Sequence, residues 1–142
     1  YEEITTDERI FWASAVVGPG EIDAINILQA TYRAMGSAFA KLDPHPDMAL
    51  IDGRPVRGFP GQHRALVKGD SLSLSIAAAS IIAKVERDRL MLEYAAIYPE
   101  YGFERHKGYG TAFHLAALKK HGPCPIHRHS FAPVAQLQFD LS

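Results

Sequence analysis

Met48-Ala49-Leu50-Ile51, followed at once by Asp52-Gly53, is a short continuous apolar run closed by a turn pair. Runs of this kind form strands buried on both faces of a sheet, and Asp52 then emerges at the C-terminal edge of that strand. That edge is where α/β sheets place their ligands. Downstream, Arg54 to Gly61 is a Pro/Gly-rich loop, and Arg64-Ala65-Leu66-Val67 can form another short strand before Lys68-Gly69-Asp70. From Ser71 to Ile97 the composition is strongly helical and should give the longest helix.

Upstream, Ile10 to Val17 (IFWASAVV) is rich in aromatic and β-branched residues and is closed by Gly18-Pro19-Gly20, the pattern of a strand followed by a breaker. Ile25, Leu28, Tyr32, Met35, Phe39 and Leu42 alternate steps of three and four, which predicts one helix packing a single apolar face against a sheet. Asp43-Pro44-His45-Pro46 stops it. After Pro99, a glycine-punctuated loop from Tyr101 to Gly110 leads to Thr111, which can cap a last helix that Gly122 ends. The order strand, helix, strand, strand, helix, helix predicts one α/β unit.

The chain has 142 residues, 47% of them hydrophobic, enough to bury a core. Fifteen basic against sixteen acidic residues leave a net charge of −1, so any nucleic-acid site must be local. Arg105, His106, Lys107, Lys119, Lys120, His121, His127, Arg128 and His129 form such a local cluster, readable also as an ordinary solvated surface. One cysteine, Cys124, excludes an intrachain disulfide framework and fits a reducing, cytoplasmic setting. No run is long enough to cross a bilayer, so a soluble protein without membrane partners is expected. The chain opens on Tyr1-Glu2-Glu3-Ile4, which reads as the end of a helix already under way and suggests a missing beginning.

Asp52 and Asp70 stand at element ends, on separate segments. Each alone is unremarkable, Asp70 as a helix cap and Asp52 as a turn residue. Together they are the kind of oxygen donors a hard divalent cation such as Mg²⁺ takes. A two-metal phosphodiester site, with ions roughly 3.5–4 Å apart, would need more carboxylates. Asp88 is the third candidate, since it falls on a stripe of Leu74, Ala78, Ile81, Val85, Leu92 and Ala96; it is either a structurally satisfied aspartate beside Lys84 and Arg87 or close to a site. His121, Cys124, His127 and His129 match no tetrahedral zinc spacing, and exposed histidines beside a basic surface are the simpler expectation. In His106-Lys107-Gly108-Tyr109-Gly110-Thr111, glycines permit close backbone approach, Lys107 can neutralise a phosphate and Tyr109 offers a flat face to a sugar or base. A turn with a packed tyrosine is the competing reading.

The tracts EIDAINILQAT (Glu21 to Thr31), ALIDGRP (Ala49 to Pro55), LVKGDSLSLSIAAASIIAKVERDR (Leu66 to Arg89), YPEYGFERHKGYGTAFH (Tyr98 to His114) and HRHSFAPV (His127 to Val134) resemble ribonuclease HII in order and spacing. The resemblance runs from Tyr1 to about Val134 and corresponds to roughly the last two-thirds of a family member. It implies a ribonuclease H-like α/β fold, a mixed sheet flanked by helices, with residues 1–97 in the catalytic core and 98–142 in a C-terminal helical, basic extension of the same unit. Family members use four carboxylates, and the resemblance implies that Asp52 and Asp70 are the last two, catalytic and metal-binding, with Asp88 in support. It implies substrate contacts from Lys68, Lys107, Tyr109 and Arg128, Tyr109 stacking on the sugar at an RNA–DNA junction.

The first two carboxylates of the family lie in an Asp-Glu-x-Gly-Arg-Gly tract on the first strand, which this sequence lacks. Glu2 and Glu3 match a following helix and are no substitutes. The implied activity is metal-dependent endonucleolytic cleavage of the RNA strand of hybrids and incision 5′ to single ribonucleotides in duplex DNA, with two Mg²⁺ or Mn²⁺ ions per complete site and a monomeric, cytoplasmic enzyme. With half of the carboxylates absent, residues 1–142 are expected to be inactive alone and to expose an unpaired strand edge. A non-catalytic nucleic-acid-binding remnant and the sister ribonuclease HIII are the rival readings, though the KGD and HKGYGT tracts look like ribonuclease HII.

Overall fold

The computed structural model describes residues 1–140, so the last two positions of the 98–142 extension lie outside the described residues. In chain order the elements are α1 (Glu2–Thr6), α2 (Pro19–Ile25), α3 (Ile27–Ala40), β1 (Ala49–Asp52), β2 (His63–Leu66), α4 (Gly69–Leu72), α5 (Leu74–Ile97), a 3₁₀ turn (Pro99–Tyr101), α6 (Phe103–His106), α7 (Ala112–His121) and α8 (Ala132–Asp140). No helix among the described residues is long and apolar enough to cross a membrane. The chain divides into two compact units, one of residues 1–16 with 31–85, the other of 17–30 with the residues from Glu86 onward.

In the first unit β1 and β2 pair in parallel, Ala49 with His63 through Asp52 with Leu66. Parallel pairing brings the C-terminal ends of both strands to one edge. The connection, residues 53–62, carries no helix and is held against α3 and β2: the Val56 N–H donates to His63 Nε2 at 3.1 Å, and the Phe59 ring contacts those of Phe39 and His63. Phe39, Ile51, Val56, Ile76 and Ile82 are the buried apolar side chains here.

Three elements differ from what residue content and periodicity predict. The predicted strand Ile10 to Val17 joins no ladder among the described residues, and Phe11 and Val16 are 59% and 71% exposed. A strand exists only through a partner's backbone groups, which the residue pattern cannot supply. The single helix predicted through Ile25 to Leu42 is broken at Asn26 (φ 67°, ψ 164°), whose Oδ1 accepts from the N–H groups of Leu28 and Gln29 at 3.0 and 3.1 Å. An asparagine in that position starts a new helix rather than continuing the old one. Likewise the long helix begins at Leu74, because Ser73 is extended (φ −136°, ψ 123°) and its N–H closes the short α4 onto the Gly69 carbonyl at 2.8 Å.

In the second unit Tyr101, Phe103, Ala117, Leu118 and Val134 form the core, with Met91, Tyr94 and Ala95 of α5 packed against it. Thr111 caps α7, accepting from the His114 N–H at 3.3 Å, and Gly122 ends it at φ 76°, as its sequence signals predict. It is not the last helix: α8 follows within the Pro/His-rich tail. Asp23 accepts from the backbone N–H groups of His129 and Ser130 at 2.6 and 2.8 Å, fastening α2 to that tail. These bonds, with the Ser130 hydroxyl foremost, hold the Asp23 carboxyl below its ordinary range.

Candidate functional site

The parallel register decides where the first carboxylate stands. Asp52 is the last residue of β1, opposite Leu66, and the Gly53 N–H continues the ladder onto the Leu66 carbonyl at 2.9 Å. The chain then turns through Lys68, which takes the left-handed conformation (φ 57°), into α4. This turn aims the Gly69 N–H at Asp52 Oδ1, a hydrogen bond of 2.7 Å across seventeen residues. A side chain at 69 would obstruct it: a Cβ there would lie 2.6 Å from Ile76 Cδ1, 3.3 Å from Leu66 Cβ and 3.4 Å from the Asp52 Cα. Glycine is therefore what lets the Lys-Gly-Asp turn close against β1.

Asp70 follows directly and is exposed, its Oδ1 accepting from the Ser71 N–H at 3.0 Å. It is not the cap of a long helix: it lies inside α4, whose N-cap is Lys68. The structure thus brings the Ile-Asp-Gly and Lys-Gly-Asp tracts to one sheet edge, with two exposed carboxylates whose Oδ2 atoms remain available as hard oxygen donors. One or two carboxylates with several waters is an ordinary Mg²⁺ environment, so these residues fit a divalent ion. Among the described residues no group of three His, Cys, Asp or Glu side chains could hold one. Lys68 is exposed at the same turn.

The remaining sequence-derived candidates lie in the second unit. Asp88 is half-buried on α5, one turn from Met91. The apolar stripe predicted around it does not face a core: Leu74, Ile81 and Leu92 are exposed, and the residues buried in α5 are Ile76 and Ile82. Tyr109 follows the turn closed by its N–H on the His106 carbonyl and is 58% exposed, with the Arg87 guanidinium 4.9 Å from its ring centroid. Lys107 adopts φ 50° and donates from Nζ to the Glu104 carbonyl at 2.7 Å, at the C-terminal end of α6. The Arg128 guanidinium lies 5.6 Å from the Phe131 ring centroid.

Of the histidines expected on a basic surface, His121 and His129 are exposed. His127 is not an exposed member of a basic surface but is buried, as are His106 and His114. His114 Nε2 meets His127 Nε2 at 2.9 Å, His106 and His114 stack with centroids 4.4 Å apart, and Phe103 contacts all three rings. His106 and His114 are spaced by eight residues across a loop, and composition carries no signal that pairs them with His127.

The ribonuclease HII family model matches residues 3–134. The chain is 55% identical over 133 residues to the ribonuclease HII of Endomicrobium trichonymphae, covering 93% of this chain and 63% of that protein. It is 50% identical over 135 residues to that of Idiomarina loihiensis, covering 95% and 72%. The chain therefore spans 63% and 72% of the length of these two relatives. Among solved structures, the crystal structure of the ribonuclease H2 from Pyrococcus horikoshii OT3 superposes with a TM-score of 0.71 at 22% identity, covering 89% of this chain and 67% of that one, a likeness of fold.

Proposed function

The chain belongs to the ribonuclease HII family, and from that premise we propose that it carries half of the carboxylates of an endonuclease that hydrolyses the RNA strand of RNA/DNA hybrids and incises 5′ to single ribonucleotides in duplex DNA. The observation that carries the reading is the 2.7 Å bond from the Gly69 N–H to Asp52 Oδ1, which holds two family carboxylate tracts at one strand edge.

Asp52 and Asp70 would hold Mg²⁺ or Mn²⁺, and two such ions in a complete site would supply the Lewis acidity for phosphodiester hydrolysis. The Gly69 amide fixes the Asp52 carboxylate before any ion arrives, so less order need be imposed on binding. Lys68 would balance phosphate charge beside the two aspartates. Lys107 would do so by exchanging its bond to the Glu104 carbonyl for a charge-assisted one. Tyr109, already held from one side by Arg87, would stack on the sugar at the junction, and recognition would rest on the 2′-hydroxyl, the group that separates RNA from DNA. Arg128 would add a phosphate contact and Asp88 would act in support. A monomeric enzyme in the cytoplasm is the proposed setting, the reducing compartment resting on the lone cysteine.

Mn²⁺ titration by calorimetry of the 142-residue chain, its D52N and D70N variants, and an incision assay on a duplex with one embedded ribonucleotide test this reading. Mn²⁺ binding lost in both variants, with no incision by the chain alone, is expected, because two carboxylates cannot clamp two ions. Unchanged Mn²⁺ affinity in D52N would sink the metal assignment. Hybrid binding undiminished by chelator, without metal binding, would favour a non-catalytic nucleic-acid-binding remnant.

A further inference from the structure

The backbone of Tyr109 is held at both polar groups while its ring stands exposed. Its N–H donates to the His106 carbonyl at 2.8 Å, and its carbonyl accepts from His114 Nδ1 at 2.9 Å and from the Thr111 N–H at 2.8 Å. The preceding residue is held too: the Gly108 N–H donates to His106 Nδ1 at 3.2 Å, while His106 Nε2 donates to the Tyr101 carbonyl at 2.8 Å. Gly108 has φ 79°, and a Cβ there would meet Met91 Sδ and Arg87 Nη2 at 3.5 and 3.6 Å.

The proton positions of this chain of rings follow from its ends. His127 Nδ1 receives the Cys124 N–H at 3.0 Å, with the thiol 3.1 Å away, so its own proton sits on Nε2. That proton goes to His114 Nε2, and His114 must then carry its own on Nδ1, where it reaches the Tyr109 carbonyl. A second proton on His114 would set two N–H groups against each other at 2.9 Å, and one on His127 would face the Cys124 amide. Burial acts in the same direction, holding both imidazoles below their ordinary range. The polar groups facing the pair are Cys124, the His106 ring and the Tyr109 carbonyl; the rings of Tyr101, Phe103 and Phe131 supply its walls, and the charge of Glu100 acts on the thiol from outside them.

We propose that His114, His127 and His106 are positioning residues: a relay of two neutral imidazoles, His127 and His114, runs from the Cys124 amide to the Tyr109 carbonyl, His106 stacks on it and holds the Gly108 amide, and together they fix the Gly108–Tyr109 backbone and so aim the Tyr109 ring at a ribonucleotide junction. This rests on the reading of Tyr109 as a substrate contact. The relay leaves no imidazole lone pair free for a metal and requires none.

The test is a double-mutant cycle on the 142-residue chain, reading the dissociation constant for an RNA/DNA hybrid with Y109A, H114L and Y109A/H114L, alongside H114N, whose amide can still donate to the Tyr109 carbonyl. Removing a stacking ring should weaken binding about ten-fold. H114L should lose most of that affinity, H114N should recover it, and the double variant should bind no worse than Y109A. Hydrogen exchange at the Gly108 and Thr111 amides should quicken in H114L and not in H114N, a readout that needs no substrate. Losses in H114L that add to those in Y109A, or equal binding by H114L and the parent, would overturn the relay while leaving Tyr109 as a contact. A Y109A chain that binds as the parent does would instead remove the substrate contact, and the relay's purpose with it.

Discussion

His127 accepts the Cys124 amide on one ring nitrogen and spends its proton on His114 with the other, so a second proton has nowhere favourable to go. Burial, then the neighbouring His114, brings its pKa down to about 4. An unfolded imidazole titrates near 6.5, so below that pH the unfolded chain takes up a proton that the folded chain refuses. Stability should be unaffected above about pH 6.5, fall as pH drops from there to about 4, and level off below, a loss on the order of 3 kcal/mol from this residue. Denaturant unfolding at pH 7, 5.5 and 4.5 checks it, and H127Q, which does not titrate, should flatten the profile. Asp23 contributes in a different window, because its lowered pKa stabilises above about 3.8 and that contribution is lost only as pH falls further. Gly69 is the second residue with a sharp consequence. G69A must push Ile76 Cδ1 away from a 2.6 Å approach, at a cost of about 1–3 kcal/mol for overpacking, and should weaken Mn²⁺ binding by moving the amide off Asp52. Equal melting and equal Mn²⁺ affinity in G69A would contradict both effects.

Secondary-structure elements show where periodicity is a sound guide and where it misleads. Thr111 and Gly122 bound α7 where capping chemistry places them, since those signals are local and backbone-determined. Asn26 interrupts the helix predicted through Ile25 to Leu42: its side chain caps α3, and its φ of 67° with ψ of 164° is a region that favours glycine. N26A should cost about 1 kcal/mol by losing the caps, whereas N26G should be near neutral, because relief of backbone strain offsets the lost bonds. Thermal unfolding of the two variants distinguishes them. The α5 stripe was wrong for another reason: a helix that is apolar on several sides offers more than one plausible face, and packing selected Ile76 and Ile82 over Leu74, Ile81 and Leu92.

The molecule as a whole carries a net charge of −1, so attraction to nucleic acid must come from a few local cations. With His106 and His127 in the core, the basic cluster is smaller than its sequence suggested. If Lys68, Lys107 and Arg128 are the phosphate contacts, hybrid affinity should fall with salt at a log–log slope of roughly −3, and K68A should reduce that slope by about 1. Anisotropy titrations at several salt concentrations measure it, and an unchanged slope in K68A would remove Lys68 from the contacts. The family, the α/β class and the strand ending at Asp52 were legible in the residues alone, because short-range chemistry and long ordered tracts carry them. The bond from the Gly69 amide to Asp52, the absence of a ladder for Ile10 to Val17 among the described residues, and the joining of His106, His114 and His127 were not. Each depends on which distant backbone or ring arrives at a given place, a property of packing across many residues that no local pattern encodes.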